Sequence, residues 1–215
     1  MNTIAFNAVL PQVFSTMQKS MESDVWLKNV SFERGHHYLI EAESGKGKST
    51  FCSYVLGYRH DYAGQVLFDG RDARQYNISD WSLLRQQHVS CLFQDLRLFH
   101  ELTAYENVEI KNKLTNFKTQ EQILQWFEML GIADKKDSLV RRLSFGQQQR
   151  VAVMRALVQP FDFFLADEPI SHLDDRNSEV MAELIQTEAC SQGASIISTS
   201  IGKRLPLIYD FTLKL

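Results

Sequence analysis

The residues best suited to chemistry lie near position 45, where they form most of a phosphate-binding pattern. Gly47, Lys48 and Ser49 match the end of G-x-x-x-x-G-K-[S/T], whereas Ala42 stands at the position of the first glycine. Backbone N–H groups in such a turn surround phosphate oxygens, and the N-terminus of the following helix adds positive potential. Lys48 would reach the β- and γ-phosphates, and the Ser49 hydroxyl would bind Mg²⁺. The alternative is an ordinary strand-to-helix turn that contains a lysine.

A second group of polar residues follows apolar runs that predict buried strands. Asp167 and Glu168 come directly after the run at 161–166, and Gln94 follows the run at 89–93. Ligands of open α/β sheets bind at the carboxyl ends of the strands, the edge where the phosphate turn also lies. There Asp167 could hold the hydration shell of Mg²⁺, and Glu168 could orient or deprotonate the attacking water. The alternatives are a solvated acidic turn and, for Gln94, a plain loop residue.

A third group lies at a predicted helix start. Ser144 and Gln147 have the spacing of a capping box, and the helix they open continues to Leu157 and stops at Pro160. One interpretation is simply a well-capped helix. The other is an anion site, because a serine hydroxyl and free N–H groups at a helix N-terminus suit a phosphate.

The elements that must position these residues follow from hydrophobic periodicity. The strands are predicted at 4–10, 24–32, 37–42, 65–70, 89–93, 161–166 and 194–200, with an edge strand at 207–215. The helices are predicted at 49–57, 119–130 and 176–191, and the helical pattern of 95–149 indicates an insertion. We therefore expect an α/β fold with an antiparallel sheet beside a parallel one.

Composition excludes several classes of protein. The chain has 215 residues, a formal net charge of −3 and 44% hydrophobic residues, which suits one large or two small globular domains. The mildly acidic balance does not favour nucleic acid as a partner. No apolar run approaches the ~20 residues that span a bilayer, and the N-terminus lacks the pattern of a signal peptide. Three widely spaced cysteines form no metal pattern and suit reduced thiols in a cytosolic protein.

The order of these motifs resembles the nucleotide-binding subunit of ATP-binding-cassette (ABC) transporters. The most specific element is Leu-Ser-Phe-Gly-Gln at 143–147, which other phosphate-loop proteins lack, and the resemblance covers about 4–200. The segments 93–95 and 106–108 resemble the subgroup serving lipoprotein-releasing, macrolide-exporting and cell-division complexes. The implied fold is an α/β phosphate-loop NTPase core, a RecA-like mixed sheet, with an antiparallel β subdomain and an inserted α-helical subdomain. The whole chain, 1–215, would be one such domain, with 95–150 as the helical part.

The resemblance also implies a role for each matching residue. ATP phosphates would be held by Ser44, Gly45, Lys46, Gly47, Lys48, Ser49 and Thr50, and adenine would stack on Phe14 or, as a weaker candidate, Trp26. Mg²⁺ would be served by Ser49, Gln94 and Asp167, and Glu168 would be the catalytic base. Gln94 would have a catalytic role by touching the metal or the water, and it would sense the membrane partner. The nucleotide of the opposite subunit would be contacted by Ser144, Gly146 and Gln147, and Asp174 would signal across the dimer.

Three residues depart from the family pattern. Ala42 replaces a glycine of the phosphate turn, which is costly only if that position needs a positive φ. Phe145 replaces a glycine near the expected phosphate. Ser200 stands where a histidine usually holds the γ-phosphate, so only a hydroxyl remains for this catalytic role.

The departures leave two functions open. The first is a transport ATPase whose two copies, or two related subunits, enclose two ATP molecules. The second is a regulatory or structural subunit that binds ATP but hydrolyses it slowly or not at all. A soluble cassette acting on DNA or ribosomes is disfavoured, because such chains usually carry two cassettes or long insertions.

Either function would place the chain in the cytoplasm, on the inner face of the cell membrane. A separate transmembrane subunit would dock near 94–107. Leu96, Leu98, Phe99 and Leu102 are candidates for that contact, unless they pack the insertion onto the core.

Overall fold

The computed structural model describes residues 1–20, 22–43, 45–170 and 174–215. Its strands are β1 Thr3–Pro11, β2 Asn29–Glu33, β3 His37–Glu41, β4 Tyr62–Phe68, β5 Arg71–Asp72, β6 Val89–Leu92, β7 Phe163–Asp167, β8 Ser195–Ser200 and β9 Phe211–Lys214. Its α-helices are α1 Lys48–Val55, α2 Ile78–Gln87, α3 Ala104–Asn112, α4 Gln120–Met129, α5 Phe145–Leu157 and α6 Asp175–Gln192. Short 3-10 helices cover Gln12–Ser20, Ala73–Gln75, Ala133–Lys135 and Val140–Arg142.

The strands form two sheets, and this confirms the predicted α/β fold. The first sheet is antiparallel with the order β2-β1-β4-β5, and its hairpin turns at Asp69 and Gly70, both at positive φ. The second sheet has the order β6-β7-β8-β3-β9 and all its neighbouring strands are parallel. The carboxyl ends of β3, β6, β7 and β8 therefore meet at one edge of the sheet.

The strand predicted at 24–32 is wrong in its first half. Only Asn29–Glu33 pairs with β1, whereas residues 24–28 form turns. The Ser23 hydroxyl accepts hydrogen bonds from the backbone N–H groups of Val25 and Trp26, at 3.1 and 2.9 Å. Such local bonding competes with a sheet ladder. The apolar side chains of Val25 and Trp26 are nevertheless buried. The hydrophobic pattern therefore indicated burial correctly, but its alternation did not indicate a strand.

The helical region confirms the expected insertion in outline. Helices α3, α4 and α5 pack their apolar faces into one hydrophobic core with α6 and the end of β6. Both predicted capping boxes are present, at Thr119–Gln122 and Ser144–Gln147. The segment before α3 is not helical, since Leu96 and Arg97 have φ of 58° and 50°. The proposed boundary at 150 falls inside α5, and the division into subdomains stays a prediction.

A buried ion pair joins the helical region to α6. Lys118, in the connection between α3 and α4, lies 2.6 Å from Glu188, and both side chains are only 10% exposed. The side-chain amide of Asn112 fixes the Lys118 backbone through two hydrogen bonds of 2.8 and 3.1 Å. The three cysteines are unpaired, as expected. Within the described ranges, no helix is both long and apolar enough to cross a bilayer.

Candidate nucleotide-binding site

The turn between β3 and α1 has the backbone that phosphate binding requires. Gly45 and Gly47 have φ of 81° and 102°, a region that favours glycine. A Cβ on Gly47 would lie 3.0 Å from Phe14 Cε2 and 3.2 Å from Trp26 Cζ2, so bulk is excluded there as well. Ala42 does not adopt a positive φ, and its substitution for glycine is therefore mild. Ser44, a predicted phosphate ligand, lies outside the described residues.

Lys48 reaches from α1 across the turn towards the acidic end of β7. Its side chain is only 5% exposed, and Nζ donates to the carbonyl oxygens of Glu43 and Ala42 at 3.1 and 3.3 Å. The same Nζ lies 3.5 Å from Glu168 Oε1. Burial beside these oxygens fixes the ammonium group where it can meet the phosphates of a nucleotide.

Glu168 is the second residue whose contacts and backbone define the site. Its Oε2 accepts a hydrogen bond of 3.3 Å from Gln94 Nε2, so the structure brings the predicted base and the predicted glutamine together. The backbone of Glu168 is held at φ 49°, a conformation that non-glycine residues rarely adopt and that clusters at functional sites. Its N–H group points to the carbonyl oxygen of Thr199, at 3.3 Å.

Asp167 is buried at the end of β7 and is fixed by its neighbour on β8. Thr199 Oγ1 donates to Asp167 Oδ1 at 2.7 Å. Burial raises the pKa of the Cys52 thiol well above its usual value, and the Asp167 carboxylate raises it further. The Asp167 carboxylate therefore lies close enough to α1 to act on the Cys52 thiol.

A cavity of about 370 Å³ opens between Lys48, Gln94 and Glu168, and its described lining does not include Asp167. It is lined by Val13, Phe14, Gly45, Gly47, Lys48, Ser49, Thr50, Arg59, Gln94, Glu168 and Ile201. Phe14 thus lies where an adenine ring could stack, whereas Trp26 is 2% exposed and donates its indole N–H to the Lys46 carbonyl.

Sequence reasoning missed Arg59 at this cavity. Its Nη1 lies 3.3 Å from Thr50 Oγ1, and Asp61 holds the guanidinium at 2.9 and 2.5 Å. No motif at position 59 signals this role, because the contact depends on how the chain after α1 folds back. The arginine thus places a guanidinium, already paired with Asp61, in the lining of the cavity.

Ser200 lies beside a neighbouring cavity of about 590 Å³, together with Ala42 and Lys46. Its hydroxyl donates to the Lys203 carbonyl at 2.7 Å. The described lining of the Lys48–Glu168 cavity does not include Ser200, and its catalytic role stays a prediction.

Ser144, Gly146 and Gln147 lie at the start of α5 and, among the described lining residues, take no part in the same cavity. Ser144 N donates to Gln147 Oε1 at 2.9 Å, and the Ser144 hydroxyl accepts from the Gln147 N–H at 3.4 Å. Gln149, one turn further, donates its side-chain amide to the Pro169 carbonyl and so connects α5 to the segment after β7.

Asp174 caps α6. Hydrogen bonds from the Asn177 N–H and side-chain amide, at 2.9 and 2.6 Å, hold the pKa of Asp174 below its usual range. The residues 171–173 before it lie outside the described part of the chain.

These features define an α/β nucleotide-binding protein of the phosphate-loop class. The family model described as ABC transporter matches residues 27–171. YtrE, an ABC transporter ATP-binding protein of Bacillus subtilis (strain 168), is 34% identical over 94% of this chain and 93% of its own length. The chain therefore belongs to the ABC transporter family, and the predicted family is confirmed.

Two further likenesses extend this result. The macrolide export ATP-binding/permease protein MacB of Shewanella sp. (strain ANA-3) is 35% identical over 79% of this chain, which spans 26% of MacB. The dimeric structure of MJ0796, a bacterial ABC transporter cassette, superposes with a TM-score of 0.74 at 24% identity, over 92% of this chain and 87% of that one. The fold is thus that of the cassette.

Proposed function

We propose that this chain is the ATP-binding subunit of a membrane transporter or membrane complex, and that it dimerises around Mg-ATP and hydrolyses it. The single observation that carries the proposal is Glu168, whose carboxylate lies between Lys48 Nζ and the Gln94 amide beside a phosphate turn. A carboxylate there can accept a proton from water that attacks the γ-phosphate. Glu168 is the catalytic base, and Gln94 positions it.

The nucleotide is held by the residues of the phosphate turn, with adenine stacked on Phe14. Residues 45–50 and Arg59 surround the phosphates. Mg²⁺ would be held by Ser49, Gln94 and Asp167, an all-oxygen set of the kind this hard cation prefers. Bound there, the metal neutralises charge on the phosphates.

Ser144, Gly146 and Gln147 act on the nucleotide of a second subunit. Their position on α5, away from the cavity lining of their own chain, supports this assignment. So does the dimeric arrangement of MJ0796. Mixing two inactive variants distinguishes a second copy of this chain from a related cassette.

The transmembrane partner docks on the cytoplasmic side, next to the segment after β6. MacB, a relative of this chain, is described as an ATP-binding and permease protein, and this combination supports a transmembrane partner. Leu96 and Leu98 are buried in the hydrophobic core, which is the packing alternative that the sequence left open, so these two residues do not form the contact. Phe99 is 52% exposed and remains available.

The regulatory alternative has one specific observation in its favour. Phe145 is 45% exposed at the N-terminus of α5. In the proposed dimer its ring would lie close to the phosphates of the nucleotide bound by the second subunit. A bulky ring there would slow hydrolysis without abolishing binding.

The deciding experiment compares the wild-type chain with Glu168→Gln. We expect Mg-ATP to bind both, the wild type to hydrolyse it at least 100-fold faster, on the order expected for loss of a general base, and the variant to accumulate as a dimer. Equal turnover by the two proteins would eliminate the ATPase and leave the regulatory function. Failure of both to bind ATP would eliminate both functions.

A further inference from the structure

The Arg59 guanidinium is held along one edge and faces the nucleotide cavity with the other. Its Nε and Nη2 donate to the two carboxylate oxygens of Asp61, at 2.9 and 2.5 Å. The third nitrogen, Nη1, lies 3.3 Å from Thr50 Oγ1, and both Arg59 and Thr50 line the cavity. Because Nη1 carries two N–H groups, one of them is left without an acceptor among the described residues.

The loop that carries this ion pair is itself fixed to the core. The Asp61 carbonyl accepts hydrogen bonds from Tyr54 Oη at 3.0 Å and from the Gln12 N–H at 2.9 Å. The Arg59 guanidinium lies 5.8 Å from the Tyr54 ring centre. The hydrogen bonds between Arg59 and Asp61 raise the pKa of the arginine and lower the pKa of the carboxyl, so both groups stay charged. The arginine is therefore oriented before any ligand binds.

Arg59 also orients the Thr50 hydroxyl. Thr50 Oγ1 accepts from Nη1, and its own proton has no acceptor among the residues that the structure describes. The cavity lining thus presents two adjacent donors, the second N–H of Nη1 and the Thr50 hydroxyl. Phosphate oxygens, which accept hydrogen bonds, match such a pair of donors.

Arg59 and Lys48 act on different parts of the cavity. Lys48 Nζ lies 3.5 Å from Glu168, the proposed base, so the phosphate that water attacks belongs to that part. The polar partners of Arg59 among the described residues are Thr50 and Asp61, and they include neither Lys48 nor Glu168. This separation favours a contact between Arg59 and the phosphates nearer the nucleoside.

We propose that Arg59 binds the phosphates that ADP keeps after hydrolysis, with Asp61 as its positioning residue, and so determines how long the product stays bound. The inference rests on the proposed function for the identity of the ligand. Because ATP and ADP share these phosphates, the contact stabilises both complexes equally and does not accelerate the chemical step. Its effect falls on nucleotide affinity and on the rate of nucleotide release.

The test measures the binding of Mg-ADP and of the non-hydrolysable ATP analogue Mg-AMPPNP to the full chain, at protein concentrations low enough to prevent dimerisation. We expect Arg59→Gln to weaken both ligands about tenfold, and by factors that agree within about twofold. This is the lower end for a hydrogen bond between charged groups, because Arg59 is 39% exposed. In stopped-flow experiments, most of the loss should appear as faster release of fluorescently labelled ADP.

Two results of this comparison overturn the proposal. A loss confined to AMPPNP would mean that Arg59 contacts the terminal phosphate. Unchanged binding of both ligands would mean that Arg59 serves only to pair with Asp61.

A second nucleoside diphosphate separates the phosphates from the base. ADP and GDP differ only in the base, so Arg59→Gln should weaken GDP by the same factor as ADP. A loss that differs more than about threefold between the two, on the order of one hydrogen bond, would place Arg59 at the base and overturn the proposal.

Asp61→Asn tests the positioning role. Alone it should weaken ADP about threefold, on the order of one exposed ion pair. The double variant with Arg59→Gln should bind ADP no more weakly than Arg59→Gln does, because Asp61 acts through the arginine. Fully additive losses would show that Asp61 acts on the nucleotide independently and would contradict this role.

Arg71→Gln is the matched control. Arg71 is also a half-exposed arginine, pairs with Asp80 at 2.7 Å and lies 4.3 Å from the ring centre of Tyr76, but it is not among the described lining residues of the cavity. Its substitution should change ADP affinity less than about twofold. Equal nucleotide binding by the wild type and Arg59→Gln refutes only this inference, whereas a wild type that binds no nucleotide refutes the proposed function.

Discussion

Glu168 shows how one residue can be held ready for chemistry at an energetic cost. Its backbone lies at φ 49°, which costs on the order of 1–3 kcal/mol for a non-glycine residue. In return its two carboxylate oxygens face different partners, Lys48 Nζ at 3.5 Å and Gln94 Nε2 at 3.3 Å. Both contacts are long, so a nucleotide phosphate can take Lys48 and leave the carboxylate for a water molecule.

Ala42 gives the first prediction at the residue scale. Because its φ is not positive, restoring the family's glycine removes no strain and instead adds freedom to the unfolded chain. We expect Ala42→Gly to lower the free energy of unfolding by about 0.4–1 kcal/mol and to leave ATP affinity within about twofold. Urea unfolding and ATP titration measure the two quantities. A tenfold rise in ATP affinity would mean that the alanine methyl obstructs the phosphates.

Lys111 gives a prediction about pH. Burial and Arg155 lower its pKa from 10.5 to about 8, so the folded protein bears an unfavourable ammonium group below pH 8. As pH rises from about 8 to 10.5, the folded state loses the proton before the unfolded state does, and stability rises relative to a neutral side chain. We expect Lys111→Met to melt at a higher temperature than the wild type at pH 7, and this difference to shrink as pH approaches 10.5.

The control for Lys111 is Lys113→Met at the exposed C-terminal end of the same helix. An exposed substitution of this kind should change stability by less than about 0.5 kcal/mol. A wild type that is more stable than Lys111→Met at pH 7 would contradict the argument, and so would a difference that does not vary with pH.

Site residues were predictable from sequence where a local pattern fixes their geometry. Gly47, Lys48 and Glu168 follow strands whose ends must share one edge of a parallel sheet, and their meeting is a consequence of topology. Arg59 was not predictable, because its contact with Thr50 depends on the path of a loop. Leu96 could not be assigned from the sequence for a similar reason, since an apolar residue in a loop can turn either inwards or outwards.

At the element scale, the buried pair of Lys118 and Glu188 is expected to stabilise the attachment of the helical region to α6. Removing one partner leaves the other charge buried and alone, and we expect Lys118→Met or Glu188→Met to cost about 3 kcal/mol. The double variant leaves no buried charge and should be less destabilised than the sum of the single ones. Urea unfolding of the four proteins forms the cycle, and strictly additive losses would show that the pair is not coupled.

Whole elements were predicted best where caps and periodicity agree. The helices opened by Thr119 and Ser144 begin where their capping boxes place them. Helix α2 was missed even though Asn77 and Asp80 form a capping box, because the helix that follows buries only Trp81 and Leu84 and shows little apolar periodicity. Tertiary packing, rather than local sequence, supports that helix.

At the scale of the whole molecule, the proposed dimer would make the site of one chain half of a catalytic unit. The cavity with Lys48 and Glu168 and the N-terminus of α5 lie on different parts of the chain. Two subunits in a head-to-tail arrangement with closed symmetry would each complete the other's site. Phe145 and Ser200 would then affect turnover only within such a pair, which is why the dimer rather than the chain is the unit to test.

Mixing two inactive variants tests that arrangement. In a mixed dimer of Lys48→Ala with Ser144→Arg, both lesions fall in one composite site and the other site is intact. Random assortment makes half of the dimers mixed, so we expect the equimolar mixture to recover about a quarter of wild-type ATPase activity. Lys48→Ala mixed with Glu168→Gln is the control and should recover none, because each of its sites carries one lesion. Equal inactivity of both mixtures would mean either that the sites are not shared or that this chain pairs with a different cassette. The wild-type chain alone separates these outcomes, since a chain that needs a different cassette does not hydrolyse ATP by itself, whereas a chain with an unshared site does.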